Sequence, residues 1–273
     1  MRNILLSLGF GILILANVTI WPEVLGADTF EVSFLDVGQG DAIFLQTPSG
    51  QQVLIDGGPD NTVLERLAGR MLPWDRTIDL VILTHPEKDH VAGLIEVLKK
   101  YEVKQVLWTG VVKDTGEYEE WVRLLKEEGA EITIVSAPQR IRFTSAYMDV
   151  LSPIENLDEK RVSIMNDTSI VMRLVLDNYS FLFTGDISVK VERKLVKSGV
   201  NMKADVLKVG HHGSKTSTSA LFLEAVQPSV AVISLGENTY GHPHPLTLAS
   251  LRQYGINVMR TDELGDITFT ITK

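Results

Sequence analysis

The stretch Thr84-His85-Pro86-Glu87-Lys88-Asp89-His90 decides how the chain folds, because it joins a strand pattern to a helix pattern. A largely apolar run over residues 79–83 precedes it and is typical of a buried strand. Apolar residues at positions 91, 94, 95 and 98 follow it with the spacing of one helix face. The sequence therefore predicts a strand-to-helix loop on a rigid scaffold. This loop carries four potential metal ligands, namely His85, Glu87, Asp89 and His90.

The four side chains form two pairs that point in different directions. In an extended loop, His85 and Glu87 share one side, because alternate residues point the same way. Asp89 and His90 lie at the helix entrance, where adjacent side chains diverge. Two diverging pairs predict two neighbouring metal ions.

Composition limits the function classes that the chain can serve. Its 273 residues suffice for one large domain or two small ones. A net charge of −9 argues against a long basic surface for holding DNA, since that affinity comes mainly from Lys and Arg on phosphates. It does not exclude phosphodiester hydrolysis, because metal ions supply local positive charge. The absence of cysteine excludes disulfides and thiolate metal sites.

An uncharged hydrophobic segment occupies residues 4–21, with Arg2 as the positive side chain before it. Its length is near that of the shortest membrane spans and exceeds most signal-peptide cores. Three interpretations remain open: a signal anchor, a signal peptide cleaved near Gly26, or a buried helix of the fold. The first two place the rest of the chain outside the cytoplasm, either anchored to the cytoplasmic membrane or secreted. All three separate residues 1–27 from a predicted catalytic domain over residues 28–273.

The remaining chain alternates strand and helix patterns in two halves. Each half runs from strands into strand–helix alternation, which predicts two sheets packed face to face with helices outside. No repeat or low-complexity linker divides the chain. Strand patterns cover residues 30–37, 42–47, 52–55, 105–108, 132–135, 146–151, 169–176, 180–184, 205–209, 230–235, 257–260 and 266–271, and helix patterns cover 61–71, 117–128, 189–197, 218–226 and 246–254.

All six histidines fall in three short segments, each of which follows an apolar strand pattern. A lone histidine is ordinarily a satisfied core or surface residue, but three pairs with none elsewhere predict one shared site. Two further strand patterns end in the carboxylates of Asp56 and Asp186, which in isolation would be turn or cap residues. Catalytic side chains collect at one end of such sheets because the loops converge there. The pairs are His85 and His90, His211 and His212, and His242 and His244.

These segments resemble the metallo-β-lactamase fold superfamily, whose hallmark is a His-x-His-x-Asp-His loop. They are most similar to the metallo-β-lactamase-like domain of ComEC-type competence proteins, which take up DNA. The resemblance implies an α/β fold in the form of a four-layer αββα sandwich, preceded here by one hydrophobic helix. It also makes a separate uptake channel an expected partner. The matching segments are residues 34–42, 54–58, 84–90, 166–169, 184–186, 207–215 and 240–245.

The resemblance implies a pair of metal ions that share one carboxylate, with Asp89 and Asp186 as the catalytic carboxylates. The implied ligands are His85 and Glu87 for one ion, Asp89, His90 and His211 for the other, and Asp186 between them. Asp56 and Asp36 are expected to hold ligand histidines from behind, as metal sites require.

Further residues are expected to contact the substrate. His212 would orient it, and Ser214 and Lys215 follow at a helix entrance that suits a phosphate. His242 and His244 would bind a phosphate oxygen or protonate a leaving group. The alternative interpretations are that the His-Pro-His-Pro segment shapes its loop and that the lysine is solvated.

Two positions depart from the superfamily pattern. Glu87 replaces the usual second histidine, and no histidine occurs near Asn166 and Asp167, where many members supply a third. Both changes make the same metal position rich in oxygen, which favours Mn²⁺ over Zn²⁺ as the second of two divalent ions. This one metal position is therefore expected to bind its ion weakly or only together with substrate.

Three functions follow as hypotheses. The first is a metal-dependent phosphodiesterase or nuclease that acts outside the cytoplasm on DNA, including single strands, through water activated by two divalent ions. The second is a hydrolase of another ester, such as phosphorylcholine on a cell-wall polymer, a lactone or a β-lactam. The third is a catalytically weak metal-binding module of a DNA-uptake or envelope complex, which the two lost histidines favour.

Overall fold

Two seven-stranded mixed sheets form the centre of the computed structural model, which describes residues 29–272. The first sheet has the order β14-β1-β2-β3-β4-β5-β6 and the second has the order β13-β12-β11-β10-β9-β8-β7. The strands are β1 (Thr29–Phe34), β2 (Ile43–Gln46), β3 (Gln52–Ile55), β4 (Thr77–Ile82), β5 (Glu102–Trp108), β6 (Glu131–Ile134), β7 (Gln139–Arg142), β8 (Tyr147–Ser152), β9 (Val171–Leu176), β10 (Tyr179–Phe183), β11 (Val206–Lys208), β12 (Val230–Ile233), β13 (Asn257–Arg260) and β14 (Ile267–Thr272).

Helices cover the outer face of each sheet. They are α1 (Thr62–Ala68), α2 (Lys88–Leu98), α3 (Gly116–Glu128), α4 (Val189–Ser198), α5 (Ala220–Val226), α6 (Pro245–Gln253) and α7 (Thr261–Leu264), with 3₁₀ turns at Met165–Thr168 and Gly210–Gly213. One apolar cluster joins the first sheet to α1, α2 and α3, and another joins the second sheet to α4, α5 and α6.

A third apolar cluster fills the space between the two sheets. On β4, Ile82 faces this cluster while Val81 faces the outer helices. On β10, Phe183 faces it while Leu182 points outward. Successive side chains of a strand point to opposite faces, so a strand with both faces covered is a continuous apolar run. The expected sandwich of two sheets between helical layers is thereby confirmed.

The parallel part of each sheet determines where the loops meet. Strands β3 to β6 are parallel to one another, and so are β10 to β13. The loops after β3, β4, β10, β11 and β12 carry the carboxylates and histidines singled out in the sequence. Their convergence at the carboxyl ends of the strands brings these side chains together.

Three elements differ from the sequence-based expectation. Strand β7 was not predicted, because three of its four residues are exposed and its sequence lacks an apolar face. Helix α7 has four residues, too few to produce a helical period. The predicted first strand is also shorter, since the chain turns after Phe34 and Leu35 N donates to Ala42 O at 2.8 Å.

The predicted signal anchor or signal peptide over residues 1–27 lies outside the described residues, as does the predicted domain boundary after it. Within residues 29–272, no helix has the length and apolar character needed to cross a membrane.

Candidate metal centre

Loops from both halves of the chain bring two carboxylates and two histidines to one point. Asp89 and His90 lie in the first turn of α2, directly after the loop that follows β4. Asp186 follows β10, and His212 lies in the 3₁₀ turn after β11. One ligand atom from each of the four residues lies within 4.8 Å of the others. This arrangement suits a divalent cation.

The histidine rings are oriented by hydrogen bonds from Nδ1. This leaves Nε2 of His85, His90 and His212 buried without a hydrogen-bond partner. Buried polar atoms are rarely left unpaired, and a ligand histidine usually donates its other nitrogen to a protein acceptor. The acceptors are Asp56 Oδ2 for His90 at 2.8 Å, the Thr84 hydroxyl for His85 at 3.1 Å and the Ser234 carbonyl for His212 at 2.8 Å.

Asp56 holds the loop from behind, as expected. Its Oδ1 accepts from Thr84 N at 2.8 Å, and its Oδ2 accepts from the Thr84 hydroxyl at 2.7 Å in addition to His90. Asp36 instead lies 3.3 Å from the Arg66 guanidinium and accepts from Gly38 N. It is not among the hydrogen-bond partners of the clustered histidines, because the chain turns after β1 and carries it toward α1.

The carboxylates of the cluster are held in the ionised form. Burial alone would raise the pKa of Asp186, but His212, His90 and Lys208 hold that pKa well below its usual range. Burial would also raise the pKa of Asp89, yet His90 and His212 lower it. Both groups are therefore anionic ligands at neutral pH.

Two histidines of the cluster respond to these carboxylates. Burial alone would lower the pKa of His90, but Asp186 and Asp56 raise it well above its ordinary value. Burial would also lower the pKa of His212, but Asp186 and Asp89 raise that pKa to about 10. In the metal-free protein both rings carry a proton that a metal must displace.

A buried lysine lies behind the cluster. Lys208 is 1% exposed, and its ammonium pairs with Asp41 and lies 3.5 Å from Asp186 Oδ1. It also donates to Gly185 O at 3.1 Å. Burial alone would lower its pKa, but Asp41 and Asp186 raise it, so the ammonium stays charged. Sequence reasoning assigned no role to Lys208 or Asp41, although a lysine within a buried strand pattern is itself a signal.

His211 and His212 have exchanged the places expected of them. His212 belongs to the cluster, with Nε2 3.2 Å from Asp89 Oδ2 and 3.3 Å from Asp186 Oδ2. His211 instead lies 3.2 Å from the Asn166 amide nitrogen and 5.4 Å, ring to ring, from His242. Both residues have left-handed backbone conformations, so their side chains diverge from one sharp turn.

Glu87 lies outside the four-residue cluster. Its carboxylate pairs with the Lys113 ammonium and lines the mouth of the cavity. The expected ligand pair of His85 and Glu87 is thus divided, because the opposite charge of Lys113 draws the carboxylate away. His85 remains close to the centre, with its ring 4.1 Å from that of His90. Burial and His90 hold the pKa of His85 well below its usual value, so its Nε2 is a neutral donor atom.

The cavity over the cluster has a volume of about 280 Å³. His211 and His242 line it, and burial lowers the pKa of each. His244 does not line it and instead caps α6, where its Nδ1 accepts from Leu246 N at 3.2 Å.

Ser214 and Lys215 are likewise outside this cavity. The Ser214 hydroxyl is 2.9 Å from that of Thr216, and Lys215 is exposed. The cap formed by His244 and the exposure of Lys215 agree with the alternative interpretations, in which the His-Pro-His-Pro segment shapes its loop and the lysine is solvated.

A family comparison identifies this constellation. The sequence pattern of the metallo-beta-lactamase superfamily matches residues 35–237, which include all four clustered ligands. The chain belongs to the metallo-beta-lactamase superfamily. Its fold is similar to that of YhfI, a metallo-beta-lactamase fold protein from Bacillus subtilis, with a TM-score of 0.58 over 88% of this chain and 99% of YhfI. At 13% sequence identity that similarity concerns the fold alone.

Curated relatives of this metallo-beta-lactamase domain include competence proteins. ComE operon protein 3 of Bacillus subtilis is 33% identical over 258 residues, which are 88% of this chain and 33% of that protein. Competence protein ComA of Neisseria gonorrhoeae is 32% identical over 269 residues, which are 95% of this chain and 35% of that protein. The resemblance to ComEC-type proteins is confirmed, and the chain spans about a third of the length of these relatives.

The residues present fit the divalent metals of a metallo-beta-lactamase site. Asp89, His90, Asp186 and His212 would hold one ion, and the unpaired Nε2 of His85 lies beside them. A second cluster of possible ligands is formed by Asp41, Asp56 and His90. Its members already have partners within the protein, because Asp41 pairs with Lys208 and Asp56 accepts a hydrogen bond from His90 Nδ1. That inner group therefore supports the ligands.

Proposed function

We propose that the chain is a metal-dependent hydrolase that cleaves phosphodiesters, with DNA as the natural substrate. The observation that carries the proposal is the set of three buried histidine Nε2 atoms without a hydrogen-bond partner, two of which lie 3.2 to 3.4 Å from the carboxylates of Asp89 and Asp186. When bound, divalent ions would activate water and polarise the phosphoryl group. The competence relatives favour a nucleic-acid substrate over other esters.

Side chains of the protein would have separate roles around the bound phosphate. Asp186 presents Oδ2 to the cluster while Oδ1 faces Lys208, so the carboxylate is held in one orientation. His211 and His242 are neutral at neutral pH because their pKa values are lowered. A neutral imidazole donates a hydrogen bond to a phosphoryl oxygen or accepts a proton from an attacking water. Both His211 and His242 line the cavity over the cluster, so either ring could take this role.

The second metal position is the weaker one. His85 remains available to it, whereas Glu87 pairs with Lys113 and Asn166 lies against His211. We propose that His85 and Asp186 would hold this ion, Mn²⁺ or Zn²⁺, and that Glu87 would be a further ligand if it were released from Lys113. The same observation supports a second candidate function, namely a metal-binding module with weak catalysis.

The proposed location is outside the cytoplasm. The hydrophobic segment over residues 4–21 and the competence relatives support it. A separate channel that delivers the DNA strand is the partner that this location requires.

The test compares the full chain with Asp186→Asn. With added Mn²⁺, we expect wild-type protein to hydrolyse bis-p-nitrophenyl phosphate and single-stranded DNA, and the variant to lose about 100-fold or more in kcat/KM. Asp177→Asn is the matched control, because it makes the same chemical change at the exposed hairpin beyond the other end of β10. Bound metal is measured in all three proteins. Metal binding without turnover under any divalent ion would favour the weak module, and an unaffected Asp186→Asn would overturn the proposed function.

A further inference from the structure

Tyr240 lies where the cavity over the metal centre meets a larger open basin. The basin has a volume of about 760 Å³ and shares Gln39, Glu87, Asp89 and Tyr240 with the cavity. Tyr240 is 74% exposed, and its ring is 5.9 Å from that of His242 with a tilt of 31°. A molecule that extends from the metal centre into the basin therefore crosses the junction where this ring is exposed.

The backbone that carries Tyr240 is fixed by one side chain. Asn238 Oδ1 accepts from Tyr240 N and from His242 N, each at 3.1 Å. Asn238 Nδ2 donates to Gly236 O and His242 O, each at 2.9 Å. The exposed ring is thus presented on a braced loop, which lowers the entropy lost when a ligand contacts it.

Charge in the basin does not favour a phosphate backbone. Among the described residues that line it, the two cations are already paired, Arg66 with Asp36 at 3.3 Å and Lys88 with Glu117 at 3.7 Å. The carboxylates of Asp60 and Glu237 add negative charge. Electrostatic contacts to phosphates supply most non-specific nucleic-acid affinity, and this basin lacks them.

We propose that Tyr240 stacks on the base next to the phosphate that is cleaved, so that the enzyme acts on single-stranded nucleic acid. This inference rests on the proposed function and assigns its substrate class. Stacking of a base on an aromatic ring contributes about 1–3 kcal/mol per base and needs no charge. A base within a duplex is already stacked on both faces, so the site selects single strands.

The test compares an oligothymidylate with an oligonucleotide of equal length in which the bases are replaced by abasic sites. We expect Tyr240→Ala to lower the ratio of kcat/KM for the base-bearing strand to that for the abasic strand by about 10-fold or more. Tyr240→Phe should keep the wild-type ratio. Tyr254→Ala is the matched control, since Tyr254 is exposed on the surface and bonds Glu224 away from both cavities.

Equilibrium binding of both strands to the Mn²⁺-loaded chain tests the stack without turnover. Wild-type protein should prefer the base-bearing strand, and Tyr240→Ala should lose that preference. The slope of log affinity against log salt should be shallower than about −1.4, the value for roughly two phosphate contacts on a single strand. An unchanged preference in Tyr240→Ala, or a steep salt slope, would overturn the stacking proposal. If the protein bound the base-bearing strand preferentially but did not cleave it, the stacking proposal would stand and the proposed hydrolase function would be wrong.

Discussion

His211 and His212 are adjacent in the sequence and differ in almost every contact. Both occupy the left-handed region, with φ values of 50° and 51°. The turn directs the His212 ring toward Asp89 and Asp186 and the His211 ring toward Asn166. His212 therefore has the surroundings of a metal ligand, and His211 has those of a substrate contact.

Replacing these two histidines one at a time separates the roles. We expect His212→Asn to weaken Mn²⁺ or Co²⁺ binding by about 10- to 100-fold, because it removes a clustered nitrogen. His211→Asn should leave metal affinity within about threefold of wild type and lower turnover. Calorimetry gives the affinities, and the visible spectrum of the Co²⁺ form reports coordination. Equal losses of metal affinity in both variants would contradict this division.

Sequence patterns predicted most of the site's residues but not their partners. The histidine pairs and the strand-end carboxylates identify the loops, because each follows an apolar run. Which of His211 and His212 enters the cluster depends on backbone angles that no side-chain type encodes. Glu87 is drawn away by Lys113, 26 residues later, and Lys208 pairs with Asp41 from the other half of the chain. Such long-range pairs depend on the assembled fold.

At the scale of elements, the position of α2 determines the position of two ligands. Its first turn carries Asp89 and His90, and its middle packs against the turn after β3. Gly57 N donates to His90 O at 2.8 Å, and Gly93 N donates to Gly58 O at 3.0 Å. A Cβ at position 93 would lie 1.8 Å from Gly57 O, so only glycine allows this approach.

Gly93→Ala should displace α2 and weaken the site. We expect the free energy of unfolding to fall by about 1–3 kcal/mol, as in other overpacked cores, and Mn²⁺ affinity to fall with it. Denaturant melts with and without Mn²⁺ measure both effects. Gly116→Ala, at the open first turn of α3, is the control: it should leave Mn²⁺ affinity unchanged and should not lower the free energy of unfolding, since alanine at an unobstructed helical position stabilises by at most about 1 kcal/mol. If Gly93→Ala and Gly116→Ala had the same Mn²⁺ affinity and the same free energy of unfolding, the close approach of α2 would have no role in placing the ligands.

Elements were predictable where burial imposes a pattern. Strands β3, β4 and β10 are apolar on both faces and were recognised from their sequences. Strand β7 pairs only with β8 at the edge of its sheet and is mostly exposed, so backbone pairing alone defines it. Backbone pairing leaves no trace in a hydrophobic pattern.

On the scale of the whole molecule, the candidate metal centre joins the two halves of the chain. The first sheet and its helices supply Asp89 and His90, and the second sheet supplies Asp186 and His212. A metal held by all four stabilises the packing of one half on the other, since it binds only the assembled state.

Metal binding at pH 7 should release about two protons, from His90 and His212, because both pKa values are raised in the metal-free protein. Metal affinity should therefore rise with pH. A raised folded-state pKa stabilises the metal-free protein most below the unfolded histidine value of about 6.5. That contribution should disappear as pH rises through about 10 for His212. Calorimetry in buffers of different ionisation enthalpy counts the protons, and metal binding without proton release would contradict the protonated cluster.

The ammonium of Lys208 gives this centre a resident cation of its own. It neutralises Asp41 and one side of Asp186 whether or not a divalent ion is present. The acidic interior can consequently assemble during folding, before any metal arrives. We therefore expect the two halves to pack without a divalent ion, which can bind after the fold has formed.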